Sequence, residues 1–123
     1  MKKLTLLWAI FSLLNIFLVN YSFGNTSVIG QALNAPNPFS ATSGTKIVYE
    51  LSQPDNIVLV IYNQLGQEVH KKQFHSGQNG GKQHNAIAIN QREIKTLNLS
   101  NGVYFYLITT GTRILAKGKM ALI

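Results

Sequence analysis

The sequence predicts a small all-β sandwich of immunoglobulin type, with six to seven short, mostly antiparallel strands behind an amino-terminal signal peptide. Three observations carry this. Apolar and polar residues alternate with a period of two in short runs, as in TKIVYEL at residues 45–51. Turn residues punctuate the runs at intervals of about ten residues. Only residues 91–97 (QREIKTL) look helical, and they are too short to stand alone. The spacing leaves open whether two sheets pack face to face or one sheet curls into a barrel.

The chain of 123 residues opens with Met1-Lys2-Lys3, a short basic start. An apolar run over residues 4–19 follows, interrupted by Thr5, Ser12 and Asn15, and Ser22 and Gly24 then place small residues where a signal peptidase inspects them. This is the layout of a secretory signal peptide, with cleavage expected after Gly24. The run is short for a membrane anchor, which needs about 20 apolar residues. Cleavage of 24 residues leaves 99, enough for one modest core. Losing Lys2 and Lys3 lowers the formal charge from +7 to +5. The remaining bases are scattered, with no run of three, so neither their pattern nor the export signal points to nucleic acid. The chain has no cysteine, which rules out a disulfide framework, a thiol nucleophile and a lipid-bearing cysteine.

The organisation expected along the chain is a signal peptide over 1–24, a short polar lead over 25–34 and a sandwich domain over 35–123. Ala32 and Leu33 are placed at the start of an edge strand. Pro36 and Pro38 keep residues 36–39 out of any central strand, and Phe39 is a candidate core plug. In residues 45–51, Ile47, Tyr49 and Leu51 face inward. Residues 57–62 (IVLVIY) form the most buried strand, with Ile57, Leu59 and Ile61 inward. Gly66 suits the left-handed position of a bulged hairpin turn. Residues 68–74 return as a polar edge strand with Val69 inward and His70, Lys71 and Lys72 outside the core. Residues 76–82 (SGQNGGK) read as a flexible loop, and residues 83–90 as a strand. Ile94 and Leu97 pin the helical piece. Residues 103–110 and the return from Arg113 make a closing hairpin, in which Tyr104, Tyr106 and Ile108 share one inward face.

Catalytic groups are sparse. Glu50, Asp55, Glu68 and Glu93 are the four acids after the signal, and nothing places two of them across a cleft, as a glycosidase would need. His70, His75 and His84 lack metal-ligand spacing and read as exposed edge-strand histidines. There is no G-x-S-x-G elbow, and Gly80-Gly81-Lys82 lacks the rest of a phosphate loop. No enzyme activity, cofactor, metal or small-molecule substrate is expected. Asn25-Thr26-Ser27 and Asn98-Leu99-Ser100 match the glycosylation sequon, which is common by chance. Tyr49, Tyr62, Tyr104 and Tyr106 are read as core rather than as a carbohydrate platform.

Three blocks carry a family resemblance: APNPFSATSGTKIVYEL at residues 35–51, VIYNQLGQEV at 60–69 and NGVYFYLITTGTRILAKGKMALI at 101–123. In order and spacing they resemble the C-terminal sorting domain, type A, of the type IX secretion system of Bacteroidetes. Their first two blocks are also similar to the immunoglobulin-like sandwich module of the flagellar hook-capping protein. The resemblance implies a protein carried to the periplasm by its signal peptide and then recognised by the outer-membrane translocon. Removal of the domain, with a sortase involved, and release of cargo or its attachment to surface lipopolysaccharide would follow. Carried over to this chain, the sorting-motif positions are Pro36, Asn37, Pro38, Phe39, Gly66, Val69, Gly102, Tyr104, Gly111 and Lys119. Arg113, Lys117 and Lys119 make the last strand basic, and no acid follows Glu93. They are the translocon-facing candidates, since an exposed basic strand with a free edge suits strand addition by a partner. Lysines guarding an edge against aggregation are the plainer alternative. Family members carry a large cargo ahead of the domain. Here residues 25–34 stand in its place, which leaves a free-standing domain, a fragment, or a small protein with another use. The rival from a different class is an exported immunoglobulin-like adhesion or structural interaction module.

Overall fold

A computed structural model of the protein describes residues 25–111 and 113–123. The signal-peptide reading of residues 1–24 lies outside them. Seven strands are described: β1 (Val28–Ala35), β2 (Thr45–Leu51), β3 (Ile57–Asn63), β4 (Glu68–Phe74), β5 (His84–Ile89), β6 (Gly102–Thr110) and β7 (Arg113–Leu122), with one helix, α1 (Gln91–Thr96), between β5 and β6. They form two antiparallel sheets, one ordered β1-β2-β5 and the other β4-β3-β6-β7. The chain changes sheet between β2 and β3, between β4 and β5 and again between β5 and β6, so sequence neighbours interleave across two layers. That is a packed Greek-key sandwich, which settles the choice between sandwich and barrel.

Alternation sets the core. Ile47, Tyr49 and Leu51 on β2 meet Ile57, Leu59 and Ile61 on β3, and Ile87 and Ile89 on β5 meet Tyr104, Tyr106 and Ile108 on β6, all of them buried. Phe39 is 2% exposed, in the role expected of it. The β3–β4 hairpin turns through Gly66 at φ 80, with a register shift between Ile61 and Tyr62, the bulged turn its position predicts. Two tyrosine hydroxyls stay satisfied inside: Tyr49 donates to the Gly80 carbonyl at 2.5 Å and Tyr104 to the Ser100 carbonyl at 2.6 Å. The second bond ties the start of β6 to the corner before it, as the tyrosine corner of immunoglobulin folds does.

Several expectations need correction. The polar lead is not separate from the sandwich: β1 starts at Val28 and pairs with β2, from Val28 opposite Leu51 to Ala35 opposite Lys46. Its small, exposed residues hid an edge strand whose alternation is broken by a bulge between Ile29 and Leu33. Tyr62 lies half-buried on the outer face of its sheet, because alternation along β3 puts it opposite to Ile57, Leu59 and Ile61. His70 is not an exposed edge residue. It and Lys72 stand opposite the inward Ile61 and Leu59, and so turn toward α1. There Glu93 lies 3.8 Å from the His70 imidazole and 3.6 Å from the Lys72 ammonium.

The loop over residues 76–82, expected to be flexible, is tied down. Buried Asn85 accepts hydrogen bonds from the Gly80 and Lys82 amides and donates to the Lys82 carbonyl. Asn90 caps α1 by accepting from the Glu93 amide at 3.0 Å, and Ile94 pins the helix to the core. Because Phe39 fills the centre of one end of the core, Phe39→Ala should cost about 3–5 kcal/mol in denaturant unfolding. A loss below about 1 kcal/mol would mean that the plug is dispensable.

Candidate functional site

The first strand does not stay in one sheet. After β1, Pro36 and Pro38 remove two backbone donors and release the chain from β2, and residues 37–39 cross to the other sheet beside the end of β7. Phe39 pairs with Leu122 in a parallel bridge: its amide donates to the Ala121 carbonyl, and its carbonyl accepts from the Ile123 amide, both at 2.9 Å. Asn37 works through its side chain. Its amide group donates to the Lys119 carbonyl at 3.1 Å and accepts from the Ala121 amide at 3.0 Å, as a neighbouring strand would.

A second clamp holds the other end of the same run. Thr26 is a fully buried polar residue, 2% exposed. Its carbonyl accepts from the Arg113 guanidinium at 2.7 Å, and its hydroxyl donates to the Asp55 carboxylate at 2.7 Å. The bond from Thr26 leads the causes that hold the Asp55 carboxyl below the usual carboxylate range. The Asn56 amide, Thr110 and the Arg113 charge add to it against a smaller desolvation cost.

Between the clamps, β1 pairs in the opposite sheet and packs close to β7 without hydrogen-bonding to it. The outward backbone groups of β7 alternate, so Ala121, Lys119 and Lys117 point away from β6. Ala121 is covered on both its amide and carbonyl, and Lys119 on its carbonyl alone. The Lys119 amide and both backbone polar groups of Lys117 have no hydrogen-bond partner among the described residues. A bulge between Ile108 and Thr109 of β6 leaves Leu115 outside the pairing and marks the other end of this window.

The remaining sheet edges are guarded by other means. On β5, the Asn79 side chain donates to the Ala86 carbonyl and accepts from its amide. On β4, inward-pointing His70 and Lys72 with Glu93 disfavour an added strand. On β1, the bulge and Gly30 at φ 71 break the regular ladder. On β7, Lys117 and Lys119 keep backbone groups without a hydrogen-bond partner among the described residues, and the edge is guarded only by their side chains and the bulge at Leu115.

The candidate residues thus fall into groups. Pro36, Asn37, Pro38 and Phe39 meet Lys119 at one end of β7. Gly102 and Tyr104 lie on β6 opposite that end, against Leu122 and Met120. Gly111 is at the tip of the closing hairpin at φ 56. Gly66 and Val69 lie at the far edge of the same sheet, where Val69 packs against the core. Of the three basic candidates, Arg113 is engaged by Thr26, while Lys117 and Lys119 are exposed with no ion-pair partner among the described residues. Sequence reasoning missed Thr26, Asn79 and Asn85. Each is an ordinary polar residue in a turn-rich stretch, and its role comes from a partner that only folding brings near.

No cluster of three or more histidine, aspartate or glutamate side chains forms among the described residues. A shallow cavity of about 200 Å³ beside Pro36 and Ala88 has Lys46 as its single charged lining residue.

Comparison with known proteins follows this geometry. A family model described as CHU_C Type IX secretion signal domain matches residues 33–121. Among solved structures, an immunoglobulin-like protein from Pseudomonas aeruginosa superposes with a TM-score of 0.57 at 16% identity, covering 83% of this chain and 99% of its own. This likeness supports the immunoglobulin-like fold and nothing further. No curated protein matches the chain significantly.

Two outcomes are expected. Asn37→Ala removes two hydrogen bonds to β7 and one to the Asn34 side chain at an exposed edge, and should lower stability by about 1–2 kcal/mol in chemical denaturation; an unchanged midpoint would mean that water replaces the amide without cost. Asp55 carries the pH dependence. A carboxyl with a folded pKa below its unfolded one adds stability above the unfolded value and loses it as pH falls through the folded value. Thermal melting of the wild type should therefore weaken below about pH 4, and Asp55→Asn should flatten that decline. Parallel acid profiles would exclude the Thr26–Asp55 bond as its source.

Proposed function

The chain belongs to the type IX secretion signal domain family, and from that premise we propose that it is a non-enzymatic export address read as a folded sandwich. Membership implies interaction with the secretion machinery and a destination outside the cell or on its surface. The finer steps of the proposal are a Sec-dependent passage to the periplasm directed by residues 1–24, recognition by the outer-membrane translocon, and handling by a sortase with attachment to surface lipopolysaccharide. The observation that carries the reading is the open window on β7. A folded domain with three edges blunted and part of a fourth left free is suited to backbone recognition by strand addition.

The test places a reporter between Gly24 and Asn25 of the full chain, in a host with a type IX system. The reporter should reach the medium or the cell surface; retention in the periplasm would refute the proposal. Lys117→Pro refines it. The Lys117 amide points out of the sheet, so proline there removes a donor from the window and no bond from the β6–β7 ladder. The variant should fold and fail to export. Normal export of a folded Lys117→Pro protein would take the window out of the mechanism.

One observation favours the adhesion or structural module as a second reading. Leu33, Val48 and Ala86 form a row across the outer face of the three-stranded sheet, with Leu33 62% and Val48 46% exposed. That module would keep its sandwich after export. Mass spectrometry of the culture medium and cell surface should recover reporter without β7 if the domain is a removable address, and an intact domain if it is an adhesin.

A further inference from the structure

We propose that the strand received by the β7 window is acidic, with carboxylates at alternate positions flanking a short residue, and that Lys117 and Lys119 select it. The inference rests on the reading of residues 115–119 as the recognition edge. It adds the chemistry of the partner.

Lys117 and Lys119 project from one face of β7, beside Leu107 and Phe105 of β6. The row continues inward to Val60 and Tyr62 on β3, so the lysines have apolar neighbours toward the sheet and an open edge on the other side. Glu50 and Glu93 are paired with His84, His70 and Lys72, and Asp55 is bound by Thr26. Glu68 stands on β4, at the far edge of the sheet. Two ammonium groups with no ion-pair partner among the described residues therefore project beside the place where a new strand would lie. Directly opposed residues of paired strands bring their side chains about 5 Å apart on one face, and opposite charges there are favourable. Because side chains repeat every second residue, positions i and i+2 of the incoming strand meet Lys117 and Lys119.

The residue between them is constrained from the other face. It lies beside Gly118, and the Tyr106 ring crosses Gly118 so closely that a Cβ at that position would collide with the ring and its hydroxyl. The space over Gly118 is thus filled by the Tyr106 ring. A short side chain fits there, and serine or threonine could also meet the phenol. The pattern is acid, small, acid. A second copy of this chain is a poor occupant, because antiparallel β7–β7 pairing would bring the lysines of the two copies together.

The protein is titrated with the peptide Thr-Val-Glu-Ser-Glu-Val-Thr and with its counterpart carrying lysine for both glutamates. At low salt the acidic peptide should bind about fivefold more tightly or better, shifting the Lys117 and Lys119 amide resonances, and the preference should shrink as salt rises. The double variant Lys117→Glu/Lys119→Glu, checked for an unchanged melting temperature, should prefer the lysine peptide. Equal binding of the two peptides, no binding of either, or an uninverted preference would overturn the proposal. The export assay separates this failure from failure of the window. If the charge-swapped protein exports normally and Lys117→Pro does not, the edge is read but its partner is not acidic. If both export, both readings fall.

Discussion

Asn37 and Phe39 join the beginning of the domain to its end. Four hydrogen bonds link them to Lys119, Ala121 and Ile123, across more than eighty residues of intervening chain. They exist because two prolines detach the first strand from one sheet and deliver it to the other. Much of the architecture follows from that crossing. It seats Phe39 in the core, closes the end of β7 and leaves the middle of β7 without a paired strand on its outer side. At the opposite end, Thr26 on Arg113 keeps the chain ahead of β1 anchored. The open window is bounded by these two clamps, so it is a product of the fold's connectivity as much as of the sequence of β7.

This ties the family resemblance to a physical cause. The PNPF segment and the closing hairpin are far apart in sequence and form one edge structure in space. The middle block has a different part: Gly66 and Val69 build the β3–β4 hairpin that supports the other side of the sheet. On the reading proposed above, the address is read only when folded, because its two end blocks meet only in the sandwich. It also explains how exposed backbone can be kept without inviting indiscriminate pairing. The other edges carry side-chain amides, inward charges or a bulge, and the window itself is flanked by lysines that repel another copy.

Most strands were legible because half-buried strands alternate, as β2 and β6 do over runs long enough to fix their faces, and because β3 is an unbroken run of strand formers. Phe39 was legible because a large ring after two prolines has few places to go. What stayed hidden has a common origin in long-range pairing. β1 looked like a lead because small exposed residues and a bulge erase its period. His70 looked exposed because the turn bulge that re-aims β4 cannot be read from composition. The Asn79 and Asn37 amides that imitate neighbouring strands leave no local pattern, and Arg113 looked free because its acceptor, the Thr26 carbonyl, is a backbone atom 87 residues away.

The central claim is that β7 is closed at one end and open in its middle, and residue-resolved amide hydrogen exchange on the folded protein tests it most directly. Exchange reports whether each amide is bonded in the native state. The Ala121 and Ile123 amides should be protected through Asn37 and Phe39, while the Lys117 and Lys119 amides on the same strand exchange near the rate of unbonded backbone. Protection running evenly along β7, or a protected Lys117 beside an unprotected Ala121, would contradict both the clamp and the window.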